Sequence, residues 1–222
     1  MKKSLLGIGV MMAFVIPSTS QASPVESFDI IFNDDVYLKE EVTSFSTLRE
    51  GGVLGASTDT TTSAPAVTKK LDKVFESYVQ DITIKPPKGW QVTDDVEVFE
   101  EGPGFSTYVV NDEMTAQIAV LRFYDEKSTL KSLEKDVLDL CELCGYKVEK
   151  KGATKLGKLK GRYVEATSPD THFVIHIFDI GDVSYLIQTS APVDEWKQYK
   201  SILSKSYKSI KIDTEMILEE QL

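Results

Sequence analysis

Apolar residues change their spacing along this chain, and each change marks an element. Leu71, Val74, Phe75, Tyr78 and Val79 fall at i, i+3, i+4, i+7 and i+8, a spacing that predicts one face of a short helix. Val79 to Lys85 then alternates, with Ile82 and Ile84 on one side. Pro86-Pro87 ends that run, and Lys88-Gly89 turns the chain into Trp90. Three β-rich runs follow, Gln91–Phe99, Phe105–Val110 and Thr115–Tyr124. Gly102-Pro103-Gly104 parts the first pair, and Asn111-Asp112-Glu113 parts the second.

Helical spacing returns from Ser128 to Cys144. Leu130, Leu133, Val137, Leu140, Cys141 and Cys144 form one stripe, Ser128 is placed to cap the start, and Gly145 suits the left-handed position beyond the end. Alternation resumes in Tyr146–Lys150, Ala153–Leu159, Gly161–Thr167 and Thr171–Asp179. Gly181-Asp182 turns the chain into Val183–Thr189. A closing helix is predicted from Asp194 to Tyr207, its inner face being Trp196, Tyr199, Leu203 and Tyr207. Ile210–Ile212 adds a short edge. Connections of hairpin length favour antiparallel pairing over parallel crossovers. The order predicts an α+β domain over residues 69–212, an antiparallel twisted sheet with helices packed on its faces.

The flanks read differently. Lys2 and Lys3, the apolar stretch Leu5–Ile16, Pro17 and the small residues Ser18–Ala22 follow the order of a signal peptide cut after Ala22. No Cys follows the stretch, which argues against a lipid anchor. Residues 23–50 form an acidic segment in which Phe28–Phe32 reads as a short strand. Residues 51–68 are mostly small and polar, the composition of a flexible linker, and 213–222 read as an acidic tail. The expected location is the periplasm or the extracellular medium.

Composition narrows the function classes. The 222 residues include 25 Lys and Arg against 35 Asp and Glu, a net charge of −10. Removing residues 1–22 takes two lysines away and leaves 200 residues at −12. That sign disfavours a nucleic-acid partner. No run in the mature chain is long and apolar enough to cross a membrane.

The residues able to carry chemistry are few. Cys141 and Cys144 have C-x-x-C spacing but fall in the last helical turn, where the dipole disfavours thiolate. A haem attachment would need His where Gly145 stands, and a zinc site would need further Cys. Two readings stay open: a pair of buried thiols, or a short-loop disulfide favoured by an oxidising compartment. His172 and His176 alternate within a strand, about 13 Å apart at roughly 3.3 Å per residue, too far to share one metal ion. They read as polar positions on a partly exposed face. Asp179-Ile-Gly-Asp182 fits a hairpin turn and has no second copy for an aspartic dyad. The chain contains no G-x-S-x-G, no H-E-x-x-H and no phosphate-cradling glycine loop. No catalytic residue, metal or cofactor is expected.

Charge placement says more. Residues 147–162 hold Lys147, Lys150, Lys151, Lys155, Lys158, Lys160 and Arg162 against Glu149 alone. Residues 94–101 hold five acids and no base. One basic hairpin on an acidic protein has a strong local field. Lys150, Lys151, Lys155, Lys158 and Lys160 are therefore the candidate contact residues for an acidic protein or envelope surface, or for the chain's own acidic segment. Lysines guarding a sheet edge against aggregation explain the same pattern.

The ordered pattern resembles the PsbP-like fold, the group that includes the DcrB-type bacterial exported proteins. Ile82-x-Ile84-x-Pro86-Pro87-x-x-Gly89-Trp90 resembles its opening strand and turn. The helix ending at Cys144-Gly145-Tyr146-Lys147-Val148 is similar to its middle helix. Lys160-Gly161-Arg162-Tyr163, Tyr185-Leu186-Ile187 and Ser206-Tyr207-Lys208-Ser209-Ile210 follow in order. The resemblance covers residues 79–212. It implies an antiparallel sheet between helices and a role in binding or assembly, with no catalytic residues to carry over. The expectation is an exported, non-enzymatic binding or accessory module. The alternatives are a small-ligand carrier with a pocket near Trp90, Phe123 and Trp196, and a secreted hydrolase.

Overall fold

A computed structural model of the chain describes residues 67–99, 102–124 and 128–219. The leader, the acidic segment with Phe28–Phe32, and nearly all of the linker lie outside the described residues.

The strands are β1 (Phe75–Glu76), β2 (Ile82–Ile84), β3 (Gln91–Phe99), β4 (Gly102–Val110), β5 (Gln117–Tyr124), β6 (Lys147–Leu156), β7 (Leu159–Thr167), β8 (Thr171–Ile180), β9 (Val183–Pro192) and β10 (Lys211–Ile212). The helices are α1 (Leu130–Leu143), α2 (Trp196–Ser209) and α3 (Thr214–Glu219). Seven strands form one sheet in the order β3-β4-β5-β9-β8-β7-β6, and every pairing is antiparallel. A second sheet has the order β1-β2-β10. The fold is thus α+β with helices on an antiparallel sheet, as the sequence predicts.

Alternation divides the apolar residues between two cores. On one side Leu133, Val137, Leu140 and Cys141 of α1 pack with Val164, Ala166, Phe173, Ile175, Ile177 and Leu186. On the other side Trp196, Tyr199, Leu203 and Tyr207 of α2 pack with Phe178, Tyr185 and Ile187, and with Ile82 and Ile84 of the small sheet. The central strand β9 is covered on both faces, so it is buried from Val183 to Ala191 and shows no polar alternation.

Several boundaries differ from the sequence reading. Residues 71–79 form no helix: Leu71 bridges to Pro87, and Phe75 pairs with Ile84. Leu71 and Phe75 pack against the core, while Val74 and Tyr78 are 55% and 82% exposed. Leu71, Phe75 and Val79 are four apart, which suits an extended chain as well as a helix. The runs 146–150 and 153–159 merge into one strand, β6. Gly152 does not break it but makes room for the Tyr163 ring, which a Cβ there would meet at 3.1 Å. The hairpin turns at Gly157, with φ +57°, rather than at Lys160, where the two predicted runs part.

α1 is capped by Thr129, not Ser128. The Thr129 side chain accepts from the Ser132 amide, and Ser132 returns a bond to the Thr129 amide. Gly145 takes the expected left-handed position with φ +68°. The described part of the acidic tail, residues 213–219, is not free. Ile217 of α3 is fully buried in the α2-side core, so that core extends past residue 212.

Candidate functional site

β6 and β3 are the two edges of the large sheet. β6 is exposed from Lys147 to Lys151 and alternates beyond it. A bulge lies between Val148 and Lys150, a common way of breaking an edge's regularity. The pleat then sends the candidate lysines to different sides. Lys151 pairs with Val164, and Lys155 pairs with Lys160. Val164 belongs to the α1-side core, so Lys151, Lys155, Lys160 and Arg162 stand on the α1 side. Lys150 pairs with Glu165 on the α2 side, and Lys158 sits in the turn. The five residues therefore do not form one flat patch. Four lie along the α1 side and the hairpin tip, and one faces the other way.

Their electrostatics differ as well. Lys150 Nζ lies 3.8 Å from Glu165, which also accepts from His172 Nε2 at 2.9 Å and faces Lys200 at 4.0 Å. Arg162 faces Glu134 of α1 at 3.6 Å, and Lys147 faces Glu149 at 2.9 Å. Lys147 holds the Glu149 carboxyl below its ordinary range through that hydrogen bond. Among the described residues, Lys151, Lys155, Lys158 and Lys160 have no acidic side chain in ion-pair contact. Lys155 and Lys160 stand directly opposite each other, a destabilising arrangement of like charges. Anions or acidic side chains arriving from outside would relieve it. No sequence signal tied Lys150 to Glu165, because their pairing depends on the hairpin register.

The histidines share a face, as expected, but α2 covers that face. His172 stacks on Trp196 with ring centroids 4.1 Å apart, and His176 stacks on Tyr207 at 3.8 Å. Burial lowers the pKa of both, and that of His176 falls to about 4. Glu165 and His172 form an imidazole–carboxylate contact. The thiol of Cys141 lies in the core on the opposite side of the sheet. Thr167, opposite His172 on the neighbouring strand, gives its hydroxyl to Glu149.

Cys141 is buried and Cys144 is exposed at the helix cap, both as free thiols. Cys144 therefore leaves the apolar stripe that its spacing predicts. Burial, and then the neighbouring Cys144, push the Cys141 thiol up to about 11. Among the described residues no group of three or more His, Cys, Asp or Glu is placed to hold a metal ion.

The three aromatics proposed for a ligand pocket separate. Trp90 and Trp196 belong to the α2-side core and Phe123 to the α1-side core, so no one cavity is lined by all three. An open depression of about 470 Å³ lies instead between α1 and the β6 edge, lined by Thr129, Lys131, Ser132, Glu134, Lys135, Leu138, Asp139 and Lys151. Lys135 and Asp139 pair with each other across a helical turn.

Two further polar features hold the small sheet in place. Arg122, 4% exposed, pairs with Asp81 at 2.6 Å and lies over the rings of Phe105 and Tyr124. Gln80 donates to Thr107, which donates to Asp94. Asp81 and Gln80 carried no signal in the sequence, since the contacts span distant strands.

These features define an α+β protein with an open antiparallel sheet whose edges carry opposite charge. The chain is similar to several solved structures. The cyanobacterial PsbP of Synechocystis sp. PCC 6803 is 12% identical, with a TM-score of 0.47 over 72% of this chain and 99% of that one. A Pseudomonas aeruginosa protein of unknown function, PA94, is 7% identical, with a TM-score of 0.39 over 62% and 94%. A Bacteroides thetaiotaomicron protein is 13% identical, with a TM-score of 0.33 over 63% and 48%. No protein-family model matches the chain, and no curated protein matches it in sequence. Among the described residues no helix is long and apolar enough to cross a membrane.

Proposed function

We propose that this chain is an exported, non-enzymatic binding or accessory module whose binding surface is the β6 edge with its hairpin tip. One observation carries the reading. Lys151, Lys155, Lys158 and Lys160 have no acidic partner among the described residues; Lys151 and Lys155 stand on an edge strand that no other described strand covers, Lys158 is in its turn, and Lys160 faces Lys155 from β7. An edge of this kind offers backbone donors and acceptors to an added strand, and its lysines select an acidic one. Export is supported by the charged, apolar and small order of residues 1–22. The non-enzymatic part is supported by how the reactive side chains are engaged. His172 is bonded and stacked, His176 is partly buried and stacked, and Cys141 is buried with a raised pKa.

The test is capture from the native envelope with residues 23–222 as bait, beside the variant Lys151→Ser/Lys155→Ser/Lys158→Ser/Lys160→Ser. The wild-type bait is expected to retain partners that the variant loses and that elute as salt rises, because exposed charges are screened within about 10 Å at 0.1 M. Identical captured sets would refute the role of the edge.

A further inference from the structure

The two edges of the large sheet are opposite in sign. β6 carries Lys147, Lys150, Lys151 and Lys155 against Glu149, whereas β3 carries Asp94, Asp95 and Glu97 with no lysine or arginine. Lysines along an edge repel a second lysine edge, and acids repel a second acidic one. Neither device guards β6 against β3. Both strands are long, 10 and 9 residues. From these features we propose that the acidic partner of β6 is the β3 edge of a second copy of this chain. This identification of the partner rests on the binding role of β6 proposed above.

The topology sets the geometry. Seven strands alternating in direction leave β3 and β6 running the same way. A copy displaced along the sheet therefore meets its neighbour strand to strand, in parallel, with the α1 sides continuous. Asp95 pairs with Ser106, which pairs with Leu121 of the α1-side core, so Asp95 stands on the same side of the sheet as Lys151 and Lys155. The bulge at Glu149 breaks the register between Val148 and Lys150 and leaves Lys150–Leu156 as the longest regular stretch of this edge. The contact joins two different surfaces, so each copy keeps one free edge. Short linear assemblies follow rather than a closed symmetric dimer.

The experiment is sedimentation velocity on the mature chain across a wide concentration series, at low and high salt. Two variants accompany it, Lys151→Ser/Lys155→Ser on one edge and Asp95→Ser on the other, each checked for an unchanged melting midpoint. The wild-type mass should rise with concentration at low salt and fall back at high salt. Each variant should associate at least about tenfold more weakly. An equimolar mixture of the two should form a one-to-one dimer through the remaining intact pair of edges, and nothing larger. A wild-type chain that stays monomeric throughout, a variant that associates like the wild type, or a mixture that stays monomeric would each overturn the proposal. If the wild type is monomeric while capture still depends on the lysines, the inference falls and the binding edge stands. If capture does not depend on them, both fall.

Discussion

His176 shows how one partly buried side chain makes stability depend on pH. It stacks on Tyr207 and lies near Tyr163, with ring centroids 6.2 Å apart in the second case. Burial holds its pKa at about 4, below the 6.5 of an ordinary imidazole. The unfolded chain therefore takes up this proton first as pH falls. The neutral ring's contribution is complete above about pH 6.5 and drains away down to about pH 4, by about 3 kcal/mol at roughly 1.4 kcal/mol per pKa unit. His172 shifts in the same direction, because its burial outweighs the Glu165 carboxylate. His176→Phe keeps a ring against Tyr207 and removes the titration. Its urea midpoint should fall less steeply than that of the wild type across this window, and parallel curves would count against a partly buried neutral His176.

Strand packing gives a sharper expectation at the scale of the element. A Cβ on Gly161 would lie 2.3 Å from the Ile177 carbonyl oxygen and 2.6 Å from the Phe178 ring. No rotamer change relieves a clash with backbone, so β7 and β8 must part. Gly161→Ala should cost about 1–3 kcal/mol or more, read as a lower denaturation midpoint. A variant as stable as the wild type would mean that the β7–β8 register is wrong. Gly161 also illustrates what a sequence discloses. In the sequence it reads as the first residue of the strand Gly161–Thr167, and nothing there shows that its missing side chain lets Phe178 approach. The hairpin turn falls at Gly157. Most of the long strands and both longer helices were legible, because eight or more residues of one period leave little ambiguity, whereas β6 was split into two runs at Gly152. Residues 71–79 were not legible, since a four-residue spacing serves helix and strand alike. Thr129 was missed as the cap because Ser128 beside it has the same chemistry, and only the Ser132 contact separates them.

Across the whole molecule the informative property is where charge lies relative to the sheet's order. The sequence shows a basic run and an acidic run, but it does not show that they occupy the two opposite edges, since strand order comes from pairing between distant segments. It also cannot show that pleating turns Lys150 toward Glu165 and away from Lys151 and Lys155. If the β6 edge binds as proposed, Lys151, Lys155, Lys158 and Lys160 meet a partner in the chain's native setting. Acetylation of lysines, read residue by residue by mass spectrometry, compares the intact envelope with the purified mature protein at high dilution and high salt, where the edge contact is released. These four are expected to be shielded in the envelope, while Lys205 and Lys208, exposed on α2, react equally in both. Equal reactivity of all six would contradict the proposed binding.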